Sequence, residues 1–226
     1  MSGGVNPKNP KLAIWGASGH ALVVADILRL CGTYEIIGLL DDGNPGLYGK
    51  CKYGYSVIGG RDKLEWLTSK DVSHLILAFG DCAGRAEVAK YLEDKGFSFA
   101  SAIHPKAIVA SDVEIGEGTV VAAGAIINPG ARIGRHCIVN VGATVDHECV
   151  IGDAVHVGPG VHLGGLVEVG NTTWLGIGCT VRDRIRIGAR SVIGAGAVIV
   201  KDVGDDVVAY GVPGRVIRST RSSGGS

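Results

Sequence analysis

Asp146-His147-Glu148 is the run of this sequence whose residue types and spacing best suit chemistry. Transfer of a group onto a nucleophile needs a base to take the proton, an acceptor to orient the base's other ring nitrogen, and donors for the charge that develops. Histidine suits the first role near neutral pH, and Glu148 stands directly beside His147. His156 follows within Ala154-Val155-His156-Val157, where it reads either as a site residue or as a surface histidine packed on Trp174. His104, His136 and His162 fit no pattern and read as solvated or packed side chains. A second set of candidates lies earlier in the chain: Gly16-Ala17-Ser18-Gly19-His20, Asp41-Asp42 and Gly80-Asp81 each follow an apolar run. The six cysteines, Cys31, Cys51, Cys82, Cys137, Cys149 and Cys179, have no metal-ligand spacing and read as reduced thiols or small core fillers.

The element that must position His147 is a repeat. Every sixth residue from Ile103 to Ile199 is aliphatic without exception, and four places after each stands a smaller or β-branched residue, from Ala107 through Cys137 and Cys149 to Val203. Glycine often follows the aliphatic residue, as in Ile115-Gly116, Ile133-Gly134 and Ile151-Gly152, and reads as the residue that tolerates the turn. A six-residue unit of this kind is a short strand plus a turn. It cannot bury its inner face alone, so units must coil and stack. The pattern resembles the hexapeptide-repeat family, whose left-handed parallel β-helix has a triangular section with three hexapeptides per coil. Residues eighteen apart then share a column, so Gly165 stands over His147 and no side chain fills the space above it. His147, His156 and His162 share no column, which argues against a metal-dependent β-helix hydrolase.

Residues 11–102 follow another grammar. Lys11–Trp15, Glu35–Leu40 and His74–Phe79 read as strands, and Ala21–Leu30 and Gly84–Lys95 as helices. Alternating strands and helices imply a small Rossmann-like parallel sheet, and ligands of such sheets bind at the carboxyl ends of strands. Gly16, Gly19, His20, Asp41, Asp42, Gly80 and Asp81 all fall at such ends, where a carboxylate suits ribose or base donors. Gly-Ala-Ser-Gly-His is not the dinucleotide fingerprint, so the turn alone also fits a strand-to-helix connection without a ligand. The expected organisation is a tail at 1–10, an α/β domain at 11–102, a β-helix at 103–218 and a tail at 219–226.

Composition narrows the class. Hydrophobic residues are 46% and charged residues 19%, which suits a packed protein. Lys plus Arg equal Asp plus Glu at 22 each, giving no electrostatic case for nucleic acid or an anionic membrane. No apolar run spans a bilayer and no signal peptide is evident, so a cytoplasmic location is expected.

The first turn, the strand ending in Asp41-Asp42 and the hexapeptide helix with Asp146-His147-Glu148 occur together from about Leu12 to about Arg218. In this the chain resembles bacterial acetyltransferases of nucleotide-activated 4-amino-4,6-dideoxy sugars, of the type found in the bacillosamine pathway. Sialic acid O-acetyltransferases are relatives. The resemblance implies acetyl transfer from acetyl-CoA to the 4-amino group of a nucleotide-linked sugar, without a metal, in a homotrimer with sites between neighbouring helices. It implies His147 as general base and Glu148 as its orienting carboxylate. It places acetyl-CoA along His156, Gly165, Ile177 and Ala195, with His156 binding the acetyl group or its oxyanion and the glycine leaving room for pantetheine. It assigns the nucleotide sugar to Gly16, Ser18, Gly19, His20, Asp41, Asp42, Gly80, Arg85 and Asn140. Family members usually carry Ala where this chain has Gly214, in a segment near the adenine end of CoA. Two other readings stand beside this one: O-acetylation of sialic acid or another hydroxyl, and a β-helix scaffold without catalysis. An intact His147-Glu148 beside Gly165 argues against the scaffold.

Overall fold

The computed structural model describes residues 9–221. The expected tails at 1–10 and 219–226 fall largely outside them. Asn9 donates to the Gly32 carbonyl, Ser219 ends a strand, and Arg221 pairs with Asp206, so the described ends of both tails are anchored.

Lys11–Trp15 (β1), Gly19–Cys31 (α1), Glu35–Leu40 (β2), Cys51–Lys52 (β3), Tyr55–Gly59 (β4), Leu64–Ser69 (α2), Val72–Leu77 (β5), Cys82–Glu93 (α3) and Ser98–Phe99 (β6) form the first domain. The strand order is β3-β4-β2-β1-β5-β6, with β1 central and parallel to β2 and β5. Alternation along β1 and β5 divides the core. Leu12, Ile14 and Ile76 face α1, whereas Ala13, Trp15, Leu75 and Leu77 face α2 and α3. α1 ends at Gly32, which adopts the left-handed φ of 64° and donates to the Leu28 carbonyl. The third expected strand is shifted to Val72–Leu77, and β4 and α2 emerge from a stretch whose sequence shows no clear period.

From Ala102 onward the chain coils. The first face stacks Ala102–Ile103, Val120–Val121, Ile138–Val139, His156–Val157, Trp174–Leu175 and Val192–Ile193, and is closed by Val207–Gly211 and the antiparallel Gly214–Ser219. The second face runs from Ile108–Val109 to Val198–Ile199, and the third from Glu114–Ile115 to Arg186–Ile187. Pairs such as Ile138 with His156 and His156 with Trp174 carry the eighteen-residue register. The repeat aliphatics and their smaller partners fill one continuous interior from Val121 to Ala209, including Cys137, Cys149 and Cys179. Burial pushes the Cys137 and Cys179 thiols up to about 12, in keeping with inert core fillers.

The reason for the glycines differs from the one the repeat suggests. From Ile115 to Ile193, left-handed backbone falls three residues after each aliphatic, at glycines such as Gly118, Gly124, Gly130, Gly142 and Gly160, and also at His136, Glu148, Leu166 and Arg184. The glycine directly after the aliphatic serves instead to let coils stack closely. A Cβ on Gly170 would stand 2.5 Å from the Ala189 nitrogen and 2.8 Å from the Gly188 carbonyl carbon. Gly170→Ala is therefore expected to destabilise by about 2–4 kcal/mol, against about 1 kcal/mol for Gly196→Ala, where φ is +66° but the space is open. Thermal melts of the two variants check this ordering.

Candidate active site

His147 lies at the corner between the second and third faces, after Thr144–Val145. Its Nδ1 stands 3.1 Å from Glu148 Oε2. Its backbone N–H donates to Asp146 Oδ1 at 2.7 Å, and the same oxygen accepts from Asn128 Nδ2 at 2.8 Å one coil below. Asn128 first, and then the His147 amide, hold the Asp146 carboxyl below the usual range. The turn is thereby pinned, while the ring stays half-exposed with Nε2 free. The space over Gly165 is taken up by the ring of His147 itself: a Cβ on Gly165 would overlap Nε2 and Cε1. Gly165 thus permits the pose of His147, rather than leaving the empty slot that the sequence suggests.

A second cluster forms where the α/β domain meets the first face. His156 points outward from its strand but is covered by the domain. Its Nδ1 is 3.4 Å from the Gly80 carbonyl, its Nε2 is 3.2 Å from Asn140 Nδ2, and its ring stacks on Trp174 at 6.0 Å. The His20 ring lies 6.5 Å away, and its buried Nε2 has no partner among the described residues. Gly80, His156, Trp174, Arg190 and Val192 line a cavity of about 650 Å³ above this cluster.

A cavity of about 290 Å³ opens at the strand ends of the first domain, lined by Gly16, Ser18, Asp41, Asp42, Arg61 and Phe79. Gly16 is required there, since a Cβ would meet the Ala78 oxygen at 2.7 Å and φ is +127°. The two aspartates do not offer bare carboxylates. Asp41 accepts from the Ala17 and Asn44 amides at 3.0 Å each, and Asp42 pairs with Arg61 at 2.6 Å. Both also line the cavity, so loop closure fixes their places at its wall. Arg61, unnoticed in the sequence, supplies the cavity's cation; its guanidinium also lies 4.6 Å over the Tyr91 ring. Its one sequence signal is its place after Gly59-Gly60 at a strand end. Arg85 is a correction: it is fully buried, donates to backbone carbonyls, and lines neither cavity.

Asn140, Ile177 and Ala195 lie at the corner between the first and second faces, the latter two eighteen residues apart in one column. One chain thus brings together His20, Gly80, Asn140 and His156, but sets His147, Glu148 and Gly165 on a different corner, across the whole second face. Among the described residues no three His, Cys, Asp or Glu side chains are grouped to hold a metal ion, and no helix is long and apolar enough to cross a membrane.

A family model of the PglD N-terminal domain matches residues 11–92, and one of bacterial transferase hexapeptide repeats matches residues 167–201. A mutant of perosamine N-acetyltransferase from Caulobacter crescentus, solved with CoA and GDP-perosamine, is 39% identical with a TM-score of 0.87; the match covers 92% of this chain and 96% of that one. The acetyltransferase domain of PglB from Neisseria gonorrhoeae, solved with acetyl coenzyme A, is 36% identical with a TM-score of 0.86, covering 92% and 100% of the two chains. Galactoside O-acetyltransferase from Lactococcus lactis is 50% identical over 50 residues, which is 22% of this chain; the chain spans about a quarter of that relative's length.

His20 and His156 are each held down to about 4, by burial first and by the Arg85 guanidinium second. An unfolded chain takes up protons on these residues below about pH 6.5, whereas the folded chain does not until about pH 4. Stability is therefore full above pH 6.5 and falls between there and pH 4. The Tm is expected to drop by several degrees from about pH 7 to about pH 5, and a His20→Gln, His156→Gln double variant to show a flatter curve. Parallel curves for the two proteins count against this assignment.

Proposed function

The chain belongs to the hexapeptide-repeat sugar acetyltransferases that carry a PglD-type N-terminal domain, and we propose that it transfers the acetyl group of acetyl-CoA to the 4-amino group of a nucleotide-linked amino-deoxy sugar. The observation that carries this reading is the His147–Glu148 contact, which holds Nδ1 and leaves Nε2 free at an exposed corner. Nε2 takes the proton of the amine as its nitrogen attacks the thioester carbonyl carbon. The N–C bond forms, the C–S bond breaks, and His147 returns the proton to the departing sulfur. Glu148 orients the ring and stabilises the imidazolium that forms. The nucleotide occupies the strand-end cavity, where Gly16 and Ser18 form the turn and Arg61 offers a cation to a diphosphate. His20, whose buried Nε2 has no partner among the described residues, stands between that cavity and His156.

Neither corner is a complete site, so the protein works as a homotrimer. Packing the second face around a threefold axis sets the first–second corner of one copy against the second–third corner of the next. The outward residues agree in charge: the second face carries Ile108, Ile126, Thr144, His162, Thr180 and Val198, whereas the third carries Glu114, Arg132, Val150, Glu168 and Arg186. Acetyl-CoA lies in the groove between copies, along Ile177 and Ala195, with its thioester between Asn140 of one copy and His147 of the next.

Two experiments test this. Thiol release from acetyl-CoA, measured over a panel of UDP-, GDP- and dTDP-linked sugars, should give a kcat/KM for a 4-amino acceptor at least ~10³-fold above that of its 4-hydroxy counterpart. An ester product, or preference for sialic acid, transfers the case to O-acetylation, the activity named in the galactoside relative. In the second, His147→Ala and Asn140→Ala each lower kcat by ~10²-fold or more. Trimers assembled from both chains should regain about a quarter of the wild-type activity, because each intact site draws one residue from each copy. No recovery on mixing would mean that the site lies within one chain.

A further inference from the structure

Arg85 is the largest side chain buried completely in this protein. Among the described residues no carboxylate pairs with it. Its guanidinium donates to backbone oxygens of two domains, and Nη2 also lies 3.9 Å from Cys82 Sγ. Nε donates to the His136 carbonyl at 2.7 Å and Nη2 to the Ala154 and Val155 carbonyls at 2.8 and 3.3 Å, all in the coil. Nη1 donates to Phe79, Gly80 and Asp81 carbonyls at 3.1, 3.2 and 3.3 Å, all in the loop before α3. Burying a charge in this way is costly unless every donor is used, and the planar fork of arginine can use them where lysine cannot.

What the fork holds is informative. Val155 directly precedes His156, and the Gly80 carbonyl that Arg85 grips is also the one facing His156 Nδ1. The proton on that ring can be assigned from a single fixed donor. The Val141 backbone N–H can only donate, and it donates to Asn140 Oδ1 at 2.8 Å. Asn140 therefore turns its Nδ2 to His156, 3.2 Å away. An amide nitrogen is a donor only, so His156 Nε2 must accept, and the ring proton resides on Nδ1, facing the Gly80 carbonyl. One N–H of Asn140 remains free at the first–second corner.

We propose that Arg85 is a positioning residue for acetyl transfer: by clamping the Gly80 carbonyl to the strand that carries His156, it holds His156 as the Nδ1–H tautomer and thereby aims the free amide N–H of Asn140 at the acetyl-CoA groove. His156 then acts through Asn140, and its own Nε2 carries no hydrogen with which to bind an oxyanion. This rests on the reading of that groove as the acyl site. Arg85, 51 and 69 residues from the coil carbonyls it holds, thus couples the seating of the α/β domain to the alignment of the acyl pocket.

The test uses the full chain labelled with ¹⁵N-histidine. The His156 ring signals, identified by their loss in His156→Gln, should show a protonated Nδ1 and a bare Nε2 in the wild type. In Arg85→Met and Arg85→Lys the Nε2–H form should appear. In the same variants kcat should fall ~30–100-fold while KM for acetyl-CoA and for the nucleotide sugar stays within about threefold, as expected for a misaligned rather than an unoccupied site. Arg85→Lys keeps the charge and the bulk, so it decides the matter if Arg85→Met does not fold. An Nε2–H ring in the wild type, an unchanged tautomer in Arg85→Lys, or full kcat in that variant each overturns the proposal. The tautomer is read without substrate. A wild-type protein that acetylates no acceptor therefore refutes the functional reading separately, leaving the relay to stand or fall on its own signal.

Discussion

A coil that cannot bury its own inner face must rest on another coil of equal length, and that condition governs the rest of this molecule. Each turn exposes one large aliphatic and one smaller residue per side to the interior, and only stacking removes them from water. Stacking in turn requires each backbone to meet the next in register, which holds the repeat at eighteen residues and admits only glycine where coils approach most closely, as at Gly170. The column addresses follow. Gly165 sits over His147, and Trp174 over His156, because the ladder leaves no other choice.

The same constraint sets the two groups of candidate residues apart within one chain. A side chain at a corner of a triangular prism projects away from the opposite face. His147 and Glu148 project from one end of the second face, and Asn140, Ile177 and Ala195 from its other end. In the proposed reaction, proton removal and acyl binding are thus separated within the chain and would meet between copies. The division suits the chemistry. His147 stays half-exposed, whereas His156 is covered and kept neutral by burial beside a cation. Two histidines nine residues apart are thereby given different surroundings.

The junction of the two domains is polar where an apolar seam would have sufficed. Arg85 spans it from within, and on the rim Arg135 joins Glu93 of α3 to Glu117 of the coil. The apolar part of the junction, where α1 meets Ala102 and Val120, supplies burial but little direction. Directional hydrogen bonds to fixed carbonyls set the angle at which the strand ends of the sheet face the coil.

Much of this was determined by local order in the sequence. The period of six settled the coil, its interior and its columns, because side-chain placement in a stacked repeat depends only on spacing. Gly16-Ala17-Ser18-Gly19-His20 settled a strand–turn–helix, and adjacency alone put Glu148 beside His147. What tertiary structure decided were the partners that sequence distance conceals. Asp42 is engaged by Arg61 from nineteen residues away, His156 by Gly80 from 76, and Arg85 by Ala154 from 69. The sequence assigned Arg85 to a ligand because it shows which groups can donate or accept. It does not show which have already done so, and a hydrogen-bonding group spent on the protein's own backbone has little left for a substrate. The setting of His156 draws on both classes: its Asn140 contact lies within the coil, whereas the Gly80 carbonyl reaches its Nδ1 only once the sheet has docked.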